Sequence, residues 1–538
     1  MTLNLADLFE VVADHAGSVE AVVHGDRRVT YAELEQRANR LAHVFLDLGV
    51  EPDGFVALLL PNRLEYVEGM LAAFKIRAAP VNVNYRYVDP ELAALLDDCD
   101  PAVIVTTPDH ADRTAVVESR AGRAGAVLVV DRAPTAPPRA PTPGHRCYEA
   151  ALAAVSPRRD FPARRSDDRY VLYTGGTTGR PKGVLWRHDD LFSSALGGNE
   201  LYDAPVDTAA DLASRLRPGR ARTLPASPFI HGTAHWLALS TLFSAGTIVI
   251  APSDRFEPRA VWEVIDREQV TTLAIVGDAF ARPLLDAFDE LEEAGTSPGG
   301  SLHIIVSGGA TLSDSSKCAL GRRLPGVLIV DGFGASESGG HGRRVVSPGT
   351  EGIIPAGFTF DTDTFVADDS GRPVPVGGTG RLARRGRIPL GYLNDPDATA
   401  ETFPVVDGER IALLSDEARL EADGRITILG RHARSINTGG EKVHAEEVER
   451  ALLAEPEVRD CVVLGVPDPR LGESVVALVA FDGTPPAPDD LRRRLGARLA
   501  GFKHPRHVVV VDEIPRTGTG KPDLVAARSL ACGTLRTT

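Results

Sequence analysis

The chain has 538 residues, of which 43% are hydrophobic and 25% are charged, and its formal net charge is −15. Single hydrophobic cores stop growing at roughly 250–300 residues, so this length excludes a one-domain protein, and the composition excludes a disordered one. The acidic balance, without any run of basic residues, excludes nucleic acid and anionic membranes as partners that bind by charge.

The first 17 residues and the cysteines bear on the location of the protein. The stretch MTLNLADLFEVVADHAG lacks the basic segment and apolar core of a signal peptide, and no apolar run reaches the ~18–20 residues of a membrane span. The five cysteines are far apart and lack metal-ligand spacing, which argues against a disulfide framework or a zinc site. We therefore expect a cytoplasmic protein without a membrane span, and a homodimer is the hypothesis for its assembly.

An alternation of helices and strands opens the chain. Residues 30–50 place apolar side chains at helical spacing, with Thr30 as N-cap and Glu33 completing a capping box. Three short β-rich runs with helical patterns between them follow: FVALLLP (55–61), APVNVN (79–84) and AVIVTT (102–107). This order predicts a parallel sheet with crossover helices.

The proline-rich stretch APTAPPRAPTP (133–143) predicts an exposed loop, because prolines remove backbone donors and disfavour helix before them. Five further strand candidates come after it: YVLYT (170–174), TIVIA (247–251), TLAIV (272–276), HIIVS (303–307) and VLIVDG (327–332). We expect the α/β alternation to continue to about residue 430.

The pattern changes at residue 432. Amphipathic helices are predicted over 445–455 and 488–501, and apolar strands over 458–468, 475–483 and 507–515. The predicted fold class is α/β. It consists of a large N-terminal domain of several subdomains with mixed and parallel sheets (residues 1–431) and a small, mobile α+β C-terminal domain (residues 432–538).

The stretch YTGGTTGRPKGV, which directly follows a predicted strand, predicts a phosphate-binding loop. Its glycines let backbone amides approach a polyphosphate closely, and its threonines and lysine add hydroxyls and positive charge. The nucleotide-binding candidates in this loop are Thr174, Gly175, Gly176, Thr177, Thr178, Gly179 and Lys182. The spacing differs from that of a Walker A loop, and a flexible turn would not explain the whole string.

This loop resembles the signature of the acyl-adenylate-forming superfamily, which contains acyl- and aryl-CoA synthetases, peptide-synthetase adenylation domains and beetle luciferases. Further resemblances recur in family order along nearly the whole chain. SGGA (307–310) resembles the adenine-side loop, and DGFGASES (331–338) resembles the motif that contacts adenine, the α-phosphate and magnesium. The resemblance assigns nucleotide binding to Ser307, Gly308, Gly309, Ala310, Asp331, Gly332, Phe333, Gly334 and Ser336, and metal binding to Glu337 and Thr177.

Two later blocks resemble the family as well. The segment 413–431 places Asp416 and Arg431 at the ribose hydroxyls, although Ser415 stands where the family usually has glycine. SINTGGEKVHAEEVE (435–449) resembles the loop that lines the pantetheine tunnel, and its glycine turn could also simply lead into a helix. The cofactor-binding candidates in that loop are Gly439, Gly440, Glu441 and Lys442.

The C-terminal stretch PRTGTGKPD (515–523) resembles the terminal loop of the family, whose catalytic lysine falls at Lys521. The family hinge position falls at Ala433, where Asp, Lys or Ser is frequent in the family. His231 falls where many members have a residue that gates the carboxylate end of the acyl pocket, with Trp236 and VGDAF (276–280) expected nearby as pocket wall. A histidine at such a turn is otherwise structural. The predicted catalytic residues are Lys521, Glu337, Thr177 and His231.

The resemblance implies an acid–thiol ligase that uses ATP, Mg²⁺ and coenzyme A and takes a small-molecule acid as substrate. Because no aspartate occurs between Thr223 and Ser253 to meet a substrate ammonium group, an α-amino acid is not expected. Similarity to actinobacterial fatty-acyl and steroid-side-chain CoA synthetases indicates an aliphatic or alicyclic acid. Two alternatives stay open: activation of nitrite for diazotisation of an aromatic amine without CoA, and a non-catalytic nucleotide-binding protein, against which Lys521 and Glu337 argue.

Overall fold

The computed structural model describes residues 3–121, 126–130, 145–175, 181–198, 205–253, 255–310, 312, 314–349, 357–431, 435–453, 455, 457–481, 483–515 and 523–535. We call residues 3–431 the N-terminal part and residues 435–535 the C-terminal part. The predicted proline-rich loop at 133–143 lies outside the described residues.

The first third of the chain alternates helices and strands. Its helices are α1 (Leu5–Ala16), α2 (Tyr31–Asp47), α3 (Leu64–Lys75), α4 (Asp89–Cys99), α5 (Pro108–Ala121) and α6 (Tyr148–Ala153). Its strands are β1 (Glu20–His24), β2 (Arg27–Thr30), β3 (Phe55–Leu59), β4 (Ala79–Asn82), β5 (Val103–Thr106), β6 (Ala126–Val129) and β7 (His145–Cys147). The predicted capping box at the start of α2 is confirmed, since Glu33 accepts from the Thr30 amide at 2.8 Å.

The same alternation runs through the middle of the chain. Its strands are β8 (Arg169–Gly175), β9 (Pro181–Arg187), β10 (Arg222–Pro225), β11 (Thr247–Ile250), β12 (Thr272–Ile275), β13 (Ile304–Ser307), β14 (Leu328–Ala335) and β15 (Gly339–Val346). Its helices are α7 (His188–Ala195), α8 (Ala209–Arg215), α9 (Gly232–Phe243), α10 (Pro258–Arg267), α11 (Gly277–Glu293) and α12 (Asp314–Arg323). Every strand predicted in this region is confirmed.

The stretch that completes the N-terminal part is different. Its elements are β16 (Thr359–Phe360), β17 (Thr364–Ala367), β18 (Thr379–Arg384), β19 (Gly391–Tyr392), α13 (Pro396–Thr402), β20 (Val405–Val406), β21 (Glu409–Arg410), β22 (Ala412–Leu420) and β23 (Ile426–Arg431). The expectation that α/β alternation continues to about residue 430 is wrong here, because β17, β18, β22 and β23 form an antiparallel sheet. Short turns such as EADGR are too short for the crossover that parallel strands require.

The C-terminal part is an α+β unit. Its elements are β24 (Ser435–Thr438), β25 (Glu441–His444), α14 (Ala445–Leu453), β26 (Val458–Asp468), β27 (Gly472–Phe481), α15 (Pro488–Leu495), a 3-10 turn (Gly501–Lys503), β28 (His507–Val510) and α16 (Leu524–Leu535). The helix predicted over 488–501 ends early, at Leu495. The division of the chain after residue 431 stays a prediction, although β23 and β24 belong to different sheets.

Two large sheets carry the N-terminal part. One is entirely parallel, in the order β4-β3-β5-β6-β7. The other has nine strands in the order β16-β15-β14-β13-β12-β10-β11-β1-β2, parallel from β14 to β1 and antiparallel at both edges. The predicted parallel sheet with crossover helices is confirmed. Ligands of such sheets bind beyond the carboxyl ends of the strands, which directs attention to the segments after β13 and β14.

Among the described helices, none is both long and apolar enough to cross a membrane. The cytoplasmic location and the homodimer stay predictions.

Candidate active site

A β-hairpin presents the predicted phosphate loop. Strands β8 and β9 pair antiparallel, so Thr174 lies opposite Lys182 and Gly175 lies opposite Pro181. The intervening candidates lie outside the described residues: Gly176, Thr177, Thr178 and Gly179. The ammonium group of Lys182 is 3.1 Å from Asp395 and 5.0 Å from the ring centre of Tyr392. The hairpin therefore brings Lys182 to a carboxylate and an aromatic ring of the block that precedes β22.

A buried amide, Asn82, anchors this hairpin. Its Nδ2 donates to the carbonyl oxygens of Tyr173 at 2.9 Å and Ile230 at 2.7 Å, and its Oδ1 accepts from the Tyr173 amide at 2.7 Å. Asn82 thus ties the phosphate hairpin to the turn that carries His231. The sequence analysis missed it, although an asparagine at the end of an apolar strand is a signal, since strands are depleted in asparagine and a buried amide needs partners.

The two adenine-side motifs follow neighbouring strands. Ser307 at the end of β13 pairs with Asp331 of β14 in parallel register. A Cβ atom on Gly308 would lie 3.5 Å from the Gly332 carbonyl oxygen, so the SGGA and DGFG segments touch. The Ser307 hydroxyl accepts from the Gly277 amide at 3.1 Å, which links these motifs to the segment predicted as pocket wall. Gly309 and Ala310 continue the turn after β13.

Asp331 has a partner within the protein. The ammonium group of Lys317 is 2.6 Å from Asp331, and both side chains are buried. Burial raises the pKa of Asp331 above its ordinary value, against the attraction of Lys317. This ion pair holds the first residue of the DGFG segment in place.

The rest of that motif completes β14 and forms the turn to β15. The ring of Phe333 packs in an aromatic cluster, 5.5 Å from the ring centres of Phe358 and Phe360. The Ser336 carbonyl oxygen accepts from the indole of Trp186 at 3.0 Å, and Glu337 accepts from the hydroxyl of Tyr392 at 2.9 Å. Burial and the nearby Glu337 raise the pKa of Tyr392, so its hydroxyl keeps the proton that it donates. Gly334 lies within β14, and a Cβ atom added there would be only 2.5 Å from the Gly339 carbonyl oxygen.

A buried chain of hydrogen bonds ends at Ser338, the residue that follows Glu337. Thr364 donates to Asp361 at 2.6 Å, and Asp361 is paired with Arg384 at 2.8 Å. With its proton committed, the Thr364 hydroxyl accepts from Nδ1 of His341 at 2.9 Å, and Nε2 of His341 accepts from Ser338 at 2.8 Å. Burial and Arg384 lower the pKa of His341 to about 3, so the ring stays neutral in this chain.

The two predicted ribose residues are paired in the backbone register of a hairpin. Asp416 of β22 and Arg431 of β23 are directly opposite in the antiparallel pair, so the hairpin brings together residues 15 positions apart in the sequence. Asp416 is buried. The backbone of Arg431 is described and its side chain is not.

The glycine turn between β24 and β25 lies against the acyl-pocket candidates. A Cβ atom on Gly440 would be 2.7 Å from Val276, the first residue of the VGDAF segment. Glu441 is 7% exposed, and its Oε1 is 3.1 Å from Nε2 of His231 and 2.6 Å from the guanidinium of Arg86. Burial opposes ionisation, but pairing with His231 and Arg86 outweighs it and holds the pKa of Glu441 below its ordinary value. Gly439 lies in the turn, and Lys442 of β25 is opposite Asn437 of β24.

His231, the residue predicted to gate the acyl pocket, is partly exposed to solvent. His231 immediately precedes α9 without a side-chain capping hydrogen bond, and its side chain is 30% exposed. One turn further along α9, the indole of Trp236 donates to the hydroxyl of Tyr170 at 3.1 Å. His231 and Val276 therefore lie against the glycine turn, whereas Trp236 lies against Tyr170, and the pocket wall stays a prediction. Lys521, the predicted catalytic lysine, lies outside the described residues.

Two family profiles match the chain. The AMP-binding enzyme profile covers residues 9–393, and the profile of the AMP-binding enzyme C-terminal domain covers residues 447–521. The chain belongs to the AMP-binding enzyme family. The predicted resemblance to acyl-adenylate-forming enzymes and the predicted fold class are thereby confirmed.

Several relatives of this AMP-binding enzyme match almost its full length. A 3-oxocholest-4-en-26-oate–CoA ligase of Rhodococcus rhodochrous is 43% identical over 532 residues, which cover 97% of this chain and 95% of the relative. A medium/long-chain-fatty-acid–CoA/3-oxocholest-4-en-26-oate–CoA ligase of Mycolicibacterium smegmatis is 41% identical, with the same coverage of 97% and 95%. These relatives confirm the predicted enzyme class, an AMP-forming acid–thiol ligase.

A solved structure matches the fold of this AMP-binding enzyme over nearly its full length. The amide bond synthetase McbA from Marinactinospora thermotolerans superposes with a TM-score of 0.79 at 26% sequence identity, covering 97% of this chain and 99% of that chain. Both the N-terminal and the C-terminal part are included in this match.

Proposed function

We propose that the protein joins an aliphatic or alicyclic carboxylic acid to coenzyme A through an acyl-adenylate. The observation that carries this proposal is the position of the Gly440–Glu441 turn, which lies against His231 and Val276 beside the predicted acyl pocket. A thiol that reaches an acyl-adenylate from this turn arrives at the acyl carbon rather than at the nucleotide. The nucleotide motifs at the ends of β13 and β14 lie at the carboxyl edge of the parallel strands of the large sheet.

The first half-reaction is attack of a substrate carboxylate oxygen on the α-phosphorus of ATP, with pyrophosphate leaving. Negative charge builds on the α-phosphate oxygens, and Lys182 on the hairpin and Lys521 on the terminal loop are the cations proposed to offset it. In the second half-reaction the CoA thiolate attacks the acyl carbon and expels AMP. The acid is its own nucleophile, so no serine or cysteine nucleophile is needed.

The residues of the Glu337 turn fit the magnesium ion that such enzymes use. Glu337 is a half-buried carboxylate at the end of a turn held by Tyr392 and Trp186, and one of its two oxygens accepts from Tyr392. A carboxylate that leaves coordination positions to phosphate oxygens and water is the ligand set that Mg²⁺ prefers. Glu337 and Thr177 are the residues proposed to hold it, and magnesium bound there would neutralise polyphosphate charge.

The proposed substrate class rests on the relatives and on the apolar pocket wall. The relatives are named for 3-oxocholest-4-en-26-oate and for medium- and long-chain fatty acids. The candidate wall contains Trp236, Val276 and Phe280, and the carboxylates beside it already pair with cations, Asp278 with Arg282 and Glu441 with Arg86. An uncompensated charge in such a wall is costly.

An acid panel tests the substrate class. Fatty acids, a steroid side-chain acid, an aryl acid, an α-amino acid and nitrite are each incubated with Mg·ATP, with and without CoA. We expect pyrophosphate release with a fatty or steroid acid, and a kcat/KM for the α-amino acid lower by at least roughly 10², because its ammonium group would stay unpaired. Release with nitrite alone would support diazotisation instead and refute the proposal. Release with no acid would refute the proposal as well.

A further inference from the structure

A buried cation, Lys503, joins the two parts of the molecule. Its ammonium group is 2.6 Å from Glu91 of α4 and 2.7 Å from Glu447 of α14, and its side chain is 6% exposed. Glu91 belongs to the N-terminal part, whereas Glu447 and Lys503 belong to the C-terminal part. This ion triad is therefore made only when the C-terminal part lies against α4.

Glu91 uses both of its oxygens at this junction. Oε1 pairs with Lys503, and Oε2 accepts from the backbone amides of Ala500 and Val88, each at 3.1 Å. Ala500 is fully buried and packs with apolar side chains of the N-terminal part, including Leu59. Lys503, Ala500 and Glu91 thus form a junction with directional hydrogen bonds at its centre.

Aromatic rings enclose the cation. The ammonium group of Lys503 is 5.2 Å from the ring centre of Tyr87 and 5.7 Å from that of Phe502. The ring faces favour a cation and exclude water. Tyr87 comes from the N-terminal part and Phe502 from the C-terminal part, so the enclosure also depends on contact between the parts.

The junction is connected to the glycine turn at both ends. Arg86, which immediately precedes Tyr87, contacts Glu441 of the turn, and Glu447 lies six residues after Glu441. Residues 86–91 are therefore linked to residues 441–447 twice, directly by Arg86 and Glu441 and through Lys503 by Glu91 and Glu447. Fixing α4 against Lys503 also fixes the turn against His231.

Lys503 is the member of the ion triad on which its stability depends, because the other two members are both carboxylates. Two carboxylates share one cation, and burial raises the pKa of Glu447 while Lys503 opposes that rise. Without Lys503, this arrangement would hold two buried carboxylates with no compensating ion, which is strongly unfavourable. An arrangement in which the parts have turned away from each other would not carry this cost.

We propose that Lys503 is a positioning residue for the thioester half-reaction, because it holds the C-terminal part in the arrangement that places the Gly440–Glu441 turn beside the acyl pocket. This proposal rests on the proposed function, in which the C-terminal part serves adenylation in a different arrangement. Lys503 has no part in the chemistry itself. It sets the fraction of molecules in which the Gly440–Glu441 turn lies beside the acyl pocket when CoA binds.

The test variant is Lys503→Gln, and its matched control is Arg494→Gln. Arg494 also pairs with a buried glutamate, Glu455, but both lie within the C-terminal part. Single-turnover thioester formation from supplied acyl-adenylate should fall in Lys503→Gln by a factor on the order of 10 to 10², with acid-dependent ATP–pyrophosphate exchange within about twofold of wild type. Arg494→Gln should leave the ratio of the two rates unchanged. Lys503→Arg should restore most of the lost rate, since a guanidinium group can pair with both carboxylates.

Amide hydrogen exchange in the substrate-free protein gives a readout that is independent of activity. Exchange at Ala500, whose amide donates to Glu91, should rise on the order of 10-fold in Lys503→Gln, whereas exchange within β26 and β27 should not change. Unchanged exchange at Ala500, or an equal loss of both half-reactions, would overturn the inference. A wild-type protein that never forms a thioester would refute the proposed function, and the exchange result would still decide whether Lys503 holds the two parts together.

Discussion

Replacing Lys521 with alanine is expected to lower the rate of adenylate formation by a factor on the order of 10² to 10³, comparable to the loss of one oxyanion donor. The residue stands in PRTGTGKPD, the stretch that resembles the family loop with the catalytic lysine. Its positive charge would be needed only while charge develops on the α-phosphate. ATP–pyrophosphate exchange measures this step directly.

Thioester formation from supplied acyl-adenylate should survive in Lys521→Ala, because the phosphate chemistry is then already complete. Arg516→Ala removes a cation from the same loop and serves as the control, with adenylation expected to stay near the wild-type rate. A Lys521→Ala protein with normal exchange would remove this lysine from the mechanism. An equal loss in Arg516→Ala would assign the effect to the loop as a whole.

Replacing Gly440 with valine is expected to have the opposite effect. Its backbone has φ +83, and a Cβ atom there would lie 2.7 Å from Val276, so the turn cannot close against the pocket wall. Single-turnover thioester formation should fall by roughly 10² or more, because a misplacement of about 1 Å costs that much. Adenylation should be spared, since the proposed adenylating arrangement does not place this turn at the pocket.

Gly483→Val is the matched control for Gly440→Val. Gly483 has the same φ of +83, but nothing lies within 4 Å of its Cβ position, so the variant carries the backbone strain without the clash. It should retain both half-reactions. If Lys521→Ala and Gly440→Val each lost both half-reactions equally while remaining folded, the two-arrangement mechanism would be wrong for this protein.

The sequence predicts the structural features that depend on residues close together along the chain. The capping box of α2 and the parallel strands β3, β4 and β5 follow from short periodic patterns, and all are present. The region after β15 was predicted incorrectly because strand signals alone do not distinguish a hairpin from a crossover. The length of its turns does distinguish them.

The sequence does not predict contacts of the site between residues that are far apart along the chain. Arg86 and Glu441 are separated by 355 positions, and Glu91 and Lys503 by 412. Nothing in the residues around Arg86 or Glu91 indicates a partner, since charged residues near a helix start are ordinary surface features. Only the packing of the C-terminal part against α4 brings them together.

The central claim is that the protein activates an acid as an adenylate and transfers it to CoA. Its most direct test is the product balance of one reaction containing the preferred acid, Mg·ATP and CoA, with AMP, pyrophosphate and acyl-CoA quantified together by mass spectrometry. The account predicts equal amounts of the three products, and adenylate in place of thioester when CoA is omitted. Formation of ADP and phosphate, or AMP and pyrophosphate without any thioester in the presence of CoA, would contradict it.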